Sequence, residues 1–327
     1  MQPILLPQAQ NQVGNQVASQ TAALPLTHDQ PASDRAAHFR EPHLRRLQRI
    51  AYGIAYLIQP KRIAALPTLS RAILSSVVRG GVEQPTAADV HQSPAGFAGV
   101  IAKPTPQSLL AAHREGFFPQ AHMGPQKWWT REQRYVQFLN ERRIPKTVRY
   151  EMRKAKLTLT FDQAFDAVIA ACAEPRPGRP KLTWITPDIM HLYARLHDAG
   201  HAHSFEMWDE TGALVGGGYG VAIGRIFVTE SLFSRVPSAS KMGLQFLNFH
   251  LGAWGFILND VKDEAPHFTG VGSRHIPGTE YAALLTELAR ATLPGNPKVV
   301  AWTPHANLAE IAKLTINPPE VVKTVTA

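Results

Sequence analysis

Thr186-Pro-Asp-Ile-Met-His-Leu-Tyr-Ala-Arg-Leu-His-Asp-Ala-Gly200 runs directly into His201-Ala-His-Ser-Phe-Glu-Met-Trp208, then Leu214-Val-Gly-Gly-Gly-Tyr-Gly-Val221 and Ile226-Phe-Val-Thr-Glu230. The first segment predicts a helix. Thr186 is a good N-cap, Pro187 suits the first helical position, Ile189, Met190, Tyr193 and Leu196 form an apolar stripe, and Gly200 stops it. The runs His203 to Trp208, Leu214 to Val221 and Ile226 to Glu230 predict strands, punctuated by Thr211-Gly212 and Gly224 into an antiparallel meander. A helix from near Ser238 carrying Leu244, Leu247 and Leu251, then a strand over Phe256 to Val261, completes an α+β order.

Working outward, Phe161, Phe165, Val168, Ile169 and Cys172 are spaced for one buried helix face, which puts the chain's one cysteine in the core. The order of elements over 157–313 is that of an acetyltransferase-like (GNAT-type) domain. A smaller N-terminal domain is expected over 99–156, ending in Thr147-Val-Arg-Tyr-Glu-Met-Arg-Lys-Ala-Lys156. On a helix Arg149, Arg153 and Lys156 share one face, with Arg142 and Arg143 just upstream, so these five residues are candidate phosphate contacts or a solvated basic ridge. Residues 41–98 interleave arginines and lysines with Leu, Ile, Val and Tyr, broken at Pro60 and Pro67, and predict short amphipathic helices. Residues 1–40, rich in Gln, Ala, Pro and Asn without periodicity, are expected to be disordered, and 314–327 to form a tail.

The 327 residues include 34 Lys and Arg against 25 Asp and Glu, a net charge of +9 that favours an anionic partner, nucleic acid first and a membrane surface second. A single cysteine forms no internal disulfide, and no run approaches the ~18 apolar residues of a membrane span, so cytoplasm is the expected compartment. His197, His201 and His203 suggest a metal cluster at first sight. Their spacing crosses a helix end into a strand, and no Cys or carboxylate completes a zinc pattern.

Several short motifs then fall in one familiar order. Leu109-Leu110, Gly116-Phe-Phe-Pro119, Trp128-Trp129, Thr183-Trp-Ile185, Tyr193-Ala-Arg-Leu-His197, Gly200 to Trp208, Leu214 to Gly220, Glu230-Ser-Leu-Phe-Ser234 and Ala239-Ser-Lys241 together resemble the leucyl/phenylalanyl-tRNA–protein transferases. The resemblance spans roughly Leu109 to Tyr281. It implies transfer of Leu or Phe, or Met, from charged tRNA to the N-terminal amine of a protein, one beginning with Arg or Lys, marking it for degradation. It implies no cofactor and no metal, because an aminoacyl-tRNA is already an activated ester. Departures exist: Asp260-Val261-Lys262 stands where the family shows Asp-Cys-Gln, Thr229 replaces a glycine, His113 a tyrosine and Gln120 a tryptophan.

Such a reaction needs the amine and ester held together, an unprotonated amine, and a donor for the developing oxyanion. Asp260 matches the family aspartate and is the candidate to orient or deprotonate the amine; a structural carboxylate capping a turn is the alternative. Lys262, two residues on, is expected on the same face of the strand, pairing with Asp260 or donating to the oxyanion, and weakening acceptance of basic N-termini. Glu230 matches the family glutamate and suggests contact with the amine or ribose. Trp184, Tyr193, Phe227, Leu232 and Phe233 are candidates for a leucyl or adenine pocket, with Trp128 and Trp129 closing one side; core packing is the alternative for each. Two rival functions stay open. One is a non-catalytic tRNA-binding homologue; the other is a GNAT-fold acyltransferase with a different donor, against which Ser234 to Ser240 offers no glycine to cradle a pyrophosphate.

Overall fold

In the computed structural model the described residues are 35–36, 38–59, 63, 65–121, 124–175, 182–265, 268–293 and 302–314, so nearly all of the expected disordered segment and tail lie outside them. Two helices come first, α1 (His43–Leu57) and α2 (Leu66–Val78), with Pro67 placed in the first turn of α2 where its missing N–H costs nothing. Strands β1 (Phe97–Val100), β2 (Phe118–Pro119) and β3 (Lys127–Trp129) make a small sheet in the order β1-β3-β2, and α3 (Pro106–Arg114) starts at a Thr105/Ser108 capping box.

The remaining strands are β4 (Gln133–Phe138), β5 (Thr158–Phe161), β6 (Ala202–Trp208), β7 (Leu214–Ile223), β8 (Ile226–Ser234), β9 (Leu258–Lys262) and β10 (Arg274–Pro277). They form one sheet in the order β10-β4-β9-β8-β7-β6-β5, antiparallel throughout except for β8 against β9. The helices α4 (Lys146–Lys154), α5 (Phe165–Ala173), α6 (Pro187–Asp198), α7 (Ala239–Ala253), α8 (Gly278–Leu288) and α9 (Leu308–Lys313) cover both faces. Helices α3, α5, α6 and α8 bury their apolar stripes on one face, and α4, α7 and α9 on the other. The long helix and meander stand as their sequence reads: Thr186 Oγ1 accepts from the Ile189 N–H, and Gly200 takes a left-handed φ of 74° beyond the C-terminus of α6. Cys172 is buried in the α5 face. Among the described residues no helix is long and apolar enough to cross a membrane.

Two expectations need correction. β4, placed by the sequence reading in the small N-terminal unit, lies inside the large sheet between β10 and β9. Its alternation explains this: Tyr135 enters one core and Val136 the other, as a central strand requires. The basic helix α4 ends at Lys154, because Ala155 is already extended, so Lys156 leaves the ridge and pairs with Glu210 at 3.3 Å.

Two bulges break the ladder where β8 and β9 run side by side. Phe227 and Leu232 enter the same core although five positions separate them, which strict alternation forbids. Tyr219 faces Ser231 and Gly220 faces Thr229, leaving Glu230 as the extra residue of β8. The glycines of β7 make room for it. A Cβ at Gly218 would strike Leu232 and the Ser231 carbonyl, and one at Gly220 would strike the Val228 carbonyl. In the same way Tyr135 faces Lys262 and Val136 faces Asp260, so Val261 is the extra residue of β9.

Candidate functional site

The bulges turn Glu230 and the end of β9 toward each other beneath α3 and α8. Glu230 has no exposed side-chain surface; its Oε1 lies 2.7 Å from His113 Nε2, and its Oε2 accepts from Lys262 Nζ at 2.9 Å. Burial alone would raise the pKa of this carboxyl, but the charges and hydrogen bonds of Lys262 and His113 outweigh it and hold the group at about 2. The other nitrogen of His113, Nδ1, faces the Leu109 carbonyl oxygen at 2.8 Å. Both partners are acceptors, so each contact asks for an N–H.

Asp260, equally buried, takes a fork from Arg134: Nε donates at 3.0 Å to both carboxylate oxygens and Nη2 at 2.7 Å to Oδ2. The Tyr281 hydroxyl also donates to Oδ2 at 2.7 Å, and burial, followed by the Asp260 charge, raises that phenol well above its ordinary range. Oδ1 accepts the backbone N–H of Lys262 at 2.9 Å. This last bond pins a backbone turned to φ 66°, a left-handed conformation that costs a residue with a Cβ about 1 to 2 kcal/mol. Asp260 therefore sets where Lys262 points.

The sequence expectation that Lys262 pairs with Asp260 is overturned. The bulge at Val261 and the positive φ send its side chain to β8, where Nζ donates to Glu230 and to the Thr229 carbonyl, both at 2.9 Å. A lysine ammonium has three N–H groups, and among the described residues two acceptors take one each, which leaves one for a ligand. Lys262 Nζ also lies 5.5 Å from the Phe118 ring, over which Arg134 and Arg131 stand at 5.2 and 4.8 Å. Arg131 closes the group with Nε at 2.8 Å and Nη2 at 3.0 Å from the two oxygens of Asp263.

The aromatic candidates divide. Tyr193 is buried 6.5 Å from His113 and 6.2 Å from the half-buried Trp184, and burial together with the Glu230 charge raises its phenol pKa. These two belong to the cluster. Phe227 and Leu232 point to the opposite face of the sheet, while Phe233 and Trp128 are core residues of the near face, Trp128 donating its indole N–H to the Val82 carbonyl. They do not line one pocket. Trp129 faces a cavity of about 460 Å³ between β3 and the helices α1 and α2, whose polar lining includes Gln120, Lys127 and Arg131. Burial draws the Lys127 ammonium down to about 8.

Of the basic ridge, Arg143 and Arg153 are exposed and Arg149 is half-buried, with Nη1 3.3 Å from the Leu314 carbonyl. Arg142 leaves the set: it lies over the Phe249 ring at 5.2 Å, where burial lowers its pKa. Sequence reasoning missed Arg134, Tyr281 and the role of His113. Arg134 carried one signal, a cation two positions before Val136 on the same side of a strand.

The profile of the leucyl/phenylalanyl-tRNA protein transferase family matches residues 136–286, which contain Glu230, Asp260, Lys262 and Tyr281. The chain is 39% identical over 216 residues to the leucyl/phenylalanyl-tRNA–protein transferase of Pseudomonas fluorescens (strain SBW25), a match covering 66% of this chain and 95% of that protein. It belongs to this transferase family. The corresponding protein of Thiobacillus denitrificans is 44% identical over 191 residues, 58% of this chain and 83% of its own length, and that of Methylococcus capsulatus 42% over 186 residues, 57% and 78%. In this transferase, then, the buried carboxylates and the lysine lie within the region shared with the family rather than in an appendage to it.

Proposed function

We propose that the chain moves a leucyl or phenylalanyl group from charged tRNA onto the α-amine of a protein's first residue. The attacking nitrogen forms an amide bond to the ester carbonyl carbon, the bond to the ribose oxygen breaks, and the proton lost by the amine ends on that oxygen. The observation that carries the reading is the placement of Lys262, whose remaining N–H stands beside two buried, fully paired carboxylates in a member of this family.

The reacting groups are already activated, so positioning supplies most of the rate. Lys262 donates to the oxygen of the carbonyl as it gains charge. Asp260 acts as a positioning residue: it holds the Lys262 backbone and is itself held by Arg134 and Tyr281. Glu230 keeps the lysine aimed. A carboxyl at about 2 is a poor base at neutral pH, whereas an α-amine titrates near 8 and supplies its own neutral fraction. Transfer is therefore expected to rise with pH toward 8.

Trp184 and Tyr193 are proposed to meet the aminoacyl end, since both stand beside the Glu230 cluster. Arg143, Arg149 and Arg153 are proposed to meet tRNA phosphates. The finer fold assignment, an acetyltransferase-like (GNAT-type) domain within 157–313, is supported by the meander β6–β8, the crossover helix α7 and the parallel β8–β9 pair. A reaction on charged tRNA argues for the cytoplasm. The test is incubation with radiolabelled leucyl-tRNA or phenylalanyl-tRNA and peptides differing only in their first residue. Label in the peptide supports transfer; tRNA binding without label in any peptide assigns a non-catalytic tRNA-binding role.

A further inference from the structure

Helices α1 and α2 precede the span of the family resemblance, which begins near Leu109, and take no part in the proposed transfer. Their inner faces pack on the body. Gly53 of α1 and Ala72 of α2 are buried, and the Ser76 hydroxyl accepts the Val100 backbone N–H at 2.8 Å. Just upstream, Arg35 binds Asp166 and forks onto Asp198, and Phe39 is buried against His191. The outer faces are different. Of the twelve exposed large apolar side chains among the described residues, ten fall between Leu44 and Val78. Leu44, Leu47 and Ile54 lie on the side of α1 turned away from Gly53, Ile58 continues their line at the C-cap, and the four are 51% to 67% exposed. Leu74 and Val78, one turn apart on α2, are 65% and 78% exposed. Exposed apolar residues scattered singly carry no message, but a concentration of them marks an interaction surface.

Charge decides what that surface meets. From His43 to Arg79 the sequence carries seven Arg and Lys and no Asp or Glu. Arg49 is held by Glu41, but Arg45, Arg46 and Arg71 are exposed. A second copy of the chain would set these cations against their like, and RNA phosphates would leave the aliphatic face in water. An anionic bilayer satisfies both halves, because its phosphates take the arginines and the boundary between headgroups and acyl chains takes the leucines and isoleucines. At fifteen residues α1 is shorter than the ~20 a membrane span needs, so it would lie along the surface. We propose that α1 and α2 form a docking surface for an anionic lipid bilayer, with Leu44, Leu47, Ile54 and Ile58 entering the interface and Arg45 and Arg46 meeting lipid phosphates. None of these residues is a partner of Lys262, Glu230 or Asp260, so docking and transfer are separable.

The full chain is mixed with vesicles of phosphatidylcholine alone or of phosphatidylcholine with about one-third phosphatidylglycerol, and the bound fraction is read by flotation. Binding to the anionic vesicles is expected, about tenfold or more tighter than to the neutral ones, and weaker at high salt. Leu47→Gln combined with Ile54→Gln should lower it about tenfold or more, and Arg45→Gln combined with Arg46→Gln about tenfold. Ile54→Leu should bind as the unmodified chain does. No binding to the anionic vesicles, or equal binding to both kinds, overturns the proposal. So does vesicle binding that tRNA competes away and that the Leu47 and Ile54 pair leaves untouched, which assigns the arginines to RNA. A dimer in sedimentation that the same pair dissolves, with no binding to vesicles, assigns the face to a second copy. The choice of the unmodified chain between the two kinds of vesicle decides even if a variant does not fold.

Discussion

Thr229 and Glu230 are neighbours on β8, as are Asn259 and Asp260 on β9, yet each pair divides between two buried networks of opposite character. On the α7 side the groups are neutral: Thr229 Oγ1 donates to Asn259 Oδ1 at 2.8 Å, Asn259 Nδ2 to Asn248 Oδ1 at 2.6 Å, Asn248 Nδ2 to Gln137 Oε1 at 2.6 Å, and Gln137 Nε2 to the Val271 carbonyl at 2.6 Å. On the α3 and α8 side they are charged, and the Lys262 ammonium keeps an N–H in hand. The amide chain ends on a backbone carbonyl among buried groups, whereas the charged network reaches the surface at Lys262, whose side chain is 9% exposed. A buried polar chain of neutral groups fixes geometry, and one whose ammonium reaches solvent is placed to meet a ligand.

The largest effect expected from breaking this symmetry is on transfer. Asp260→Asn retains the shape but loses the ion pair with Arg134 and weakens the hold on the Lys262 backbone, so the transfer rate should fall about a hundredfold or more, with tRNA binding near normal. Steady-state rates and a binding isotherm on the same preparation check both halves, and unchanged turnover removes Asp260 from the site. The mirror substitution, Asn259→Ala, deprives Thr229 and Asn248 of the amide between them. A destabilisation of about 3 kcal/mol in urea is expected, with activity per folded molecule within a few-fold of normal. A hundredfold loss in that variant would mean that the two networks act as one.

Acid separates them next. His250, on the α7 side, is pulled down to about 4, chiefly by burial; its Nδ1 faces the Phe246 carbonyl and its Nε2 the His305 backbone N–H. A depressed folded pKa contributes stability that is present above the unfolded value near 6.5 and is lost as pH falls toward 4, on the order of 2 to 3 kcal/mol. Glu230 follows the same sign over a lower window, from near 4.5 to about 2. Melting temperature should therefore drop first between pH 6.5 and 4, and His250→Asn should flatten that limb; an equal drop in the variant assigns the loss elsewhere. The smallest effect concerns neither network. Replacing Arg143, Arg149 and Arg153 by Ala should flatten the salt dependence of tRNA binding by roughly 0.7 to 0.9 in log slope for each phosphate no longer neutralised. An unchanged slope returns the ridge to solvent.

Much of this was legible in the residues. The helix from Pro187, the meander and the burial of Cys172 follow from caps, glycines and periodicity, which are local properties. Glu230 and Asp260 were marked by their match to family motifs. What alternation alone conceals is the pair of bulges, since a strand with one extra residue reads like any other until its partner is known. The bulge at Glu230 brings Leu232 to the face of Phe227, five positions away, and the bulge at Val261 with the positive φ of Lys262 sends that side chain to Glu230. The partners Arg134 and Tyr281 were hidden for a different reason: nothing near either in sequence refers to Asp260, from which they are 126 and 21 positions away.

The position of β4 also imposes an order in time. This strand leaves the ribosome early, yet its neighbours on either side, β9 and β10, are among the last strands made. Until β9 has emerged, Arg134 has no Asp260 to meet and the gap between β4 and β8 stands open. The enzyme can therefore acquire its charged centre only once β9 and α8 have been made, and a chain truncated before β9 would leave the guanidinium of Arg134 without Asp260.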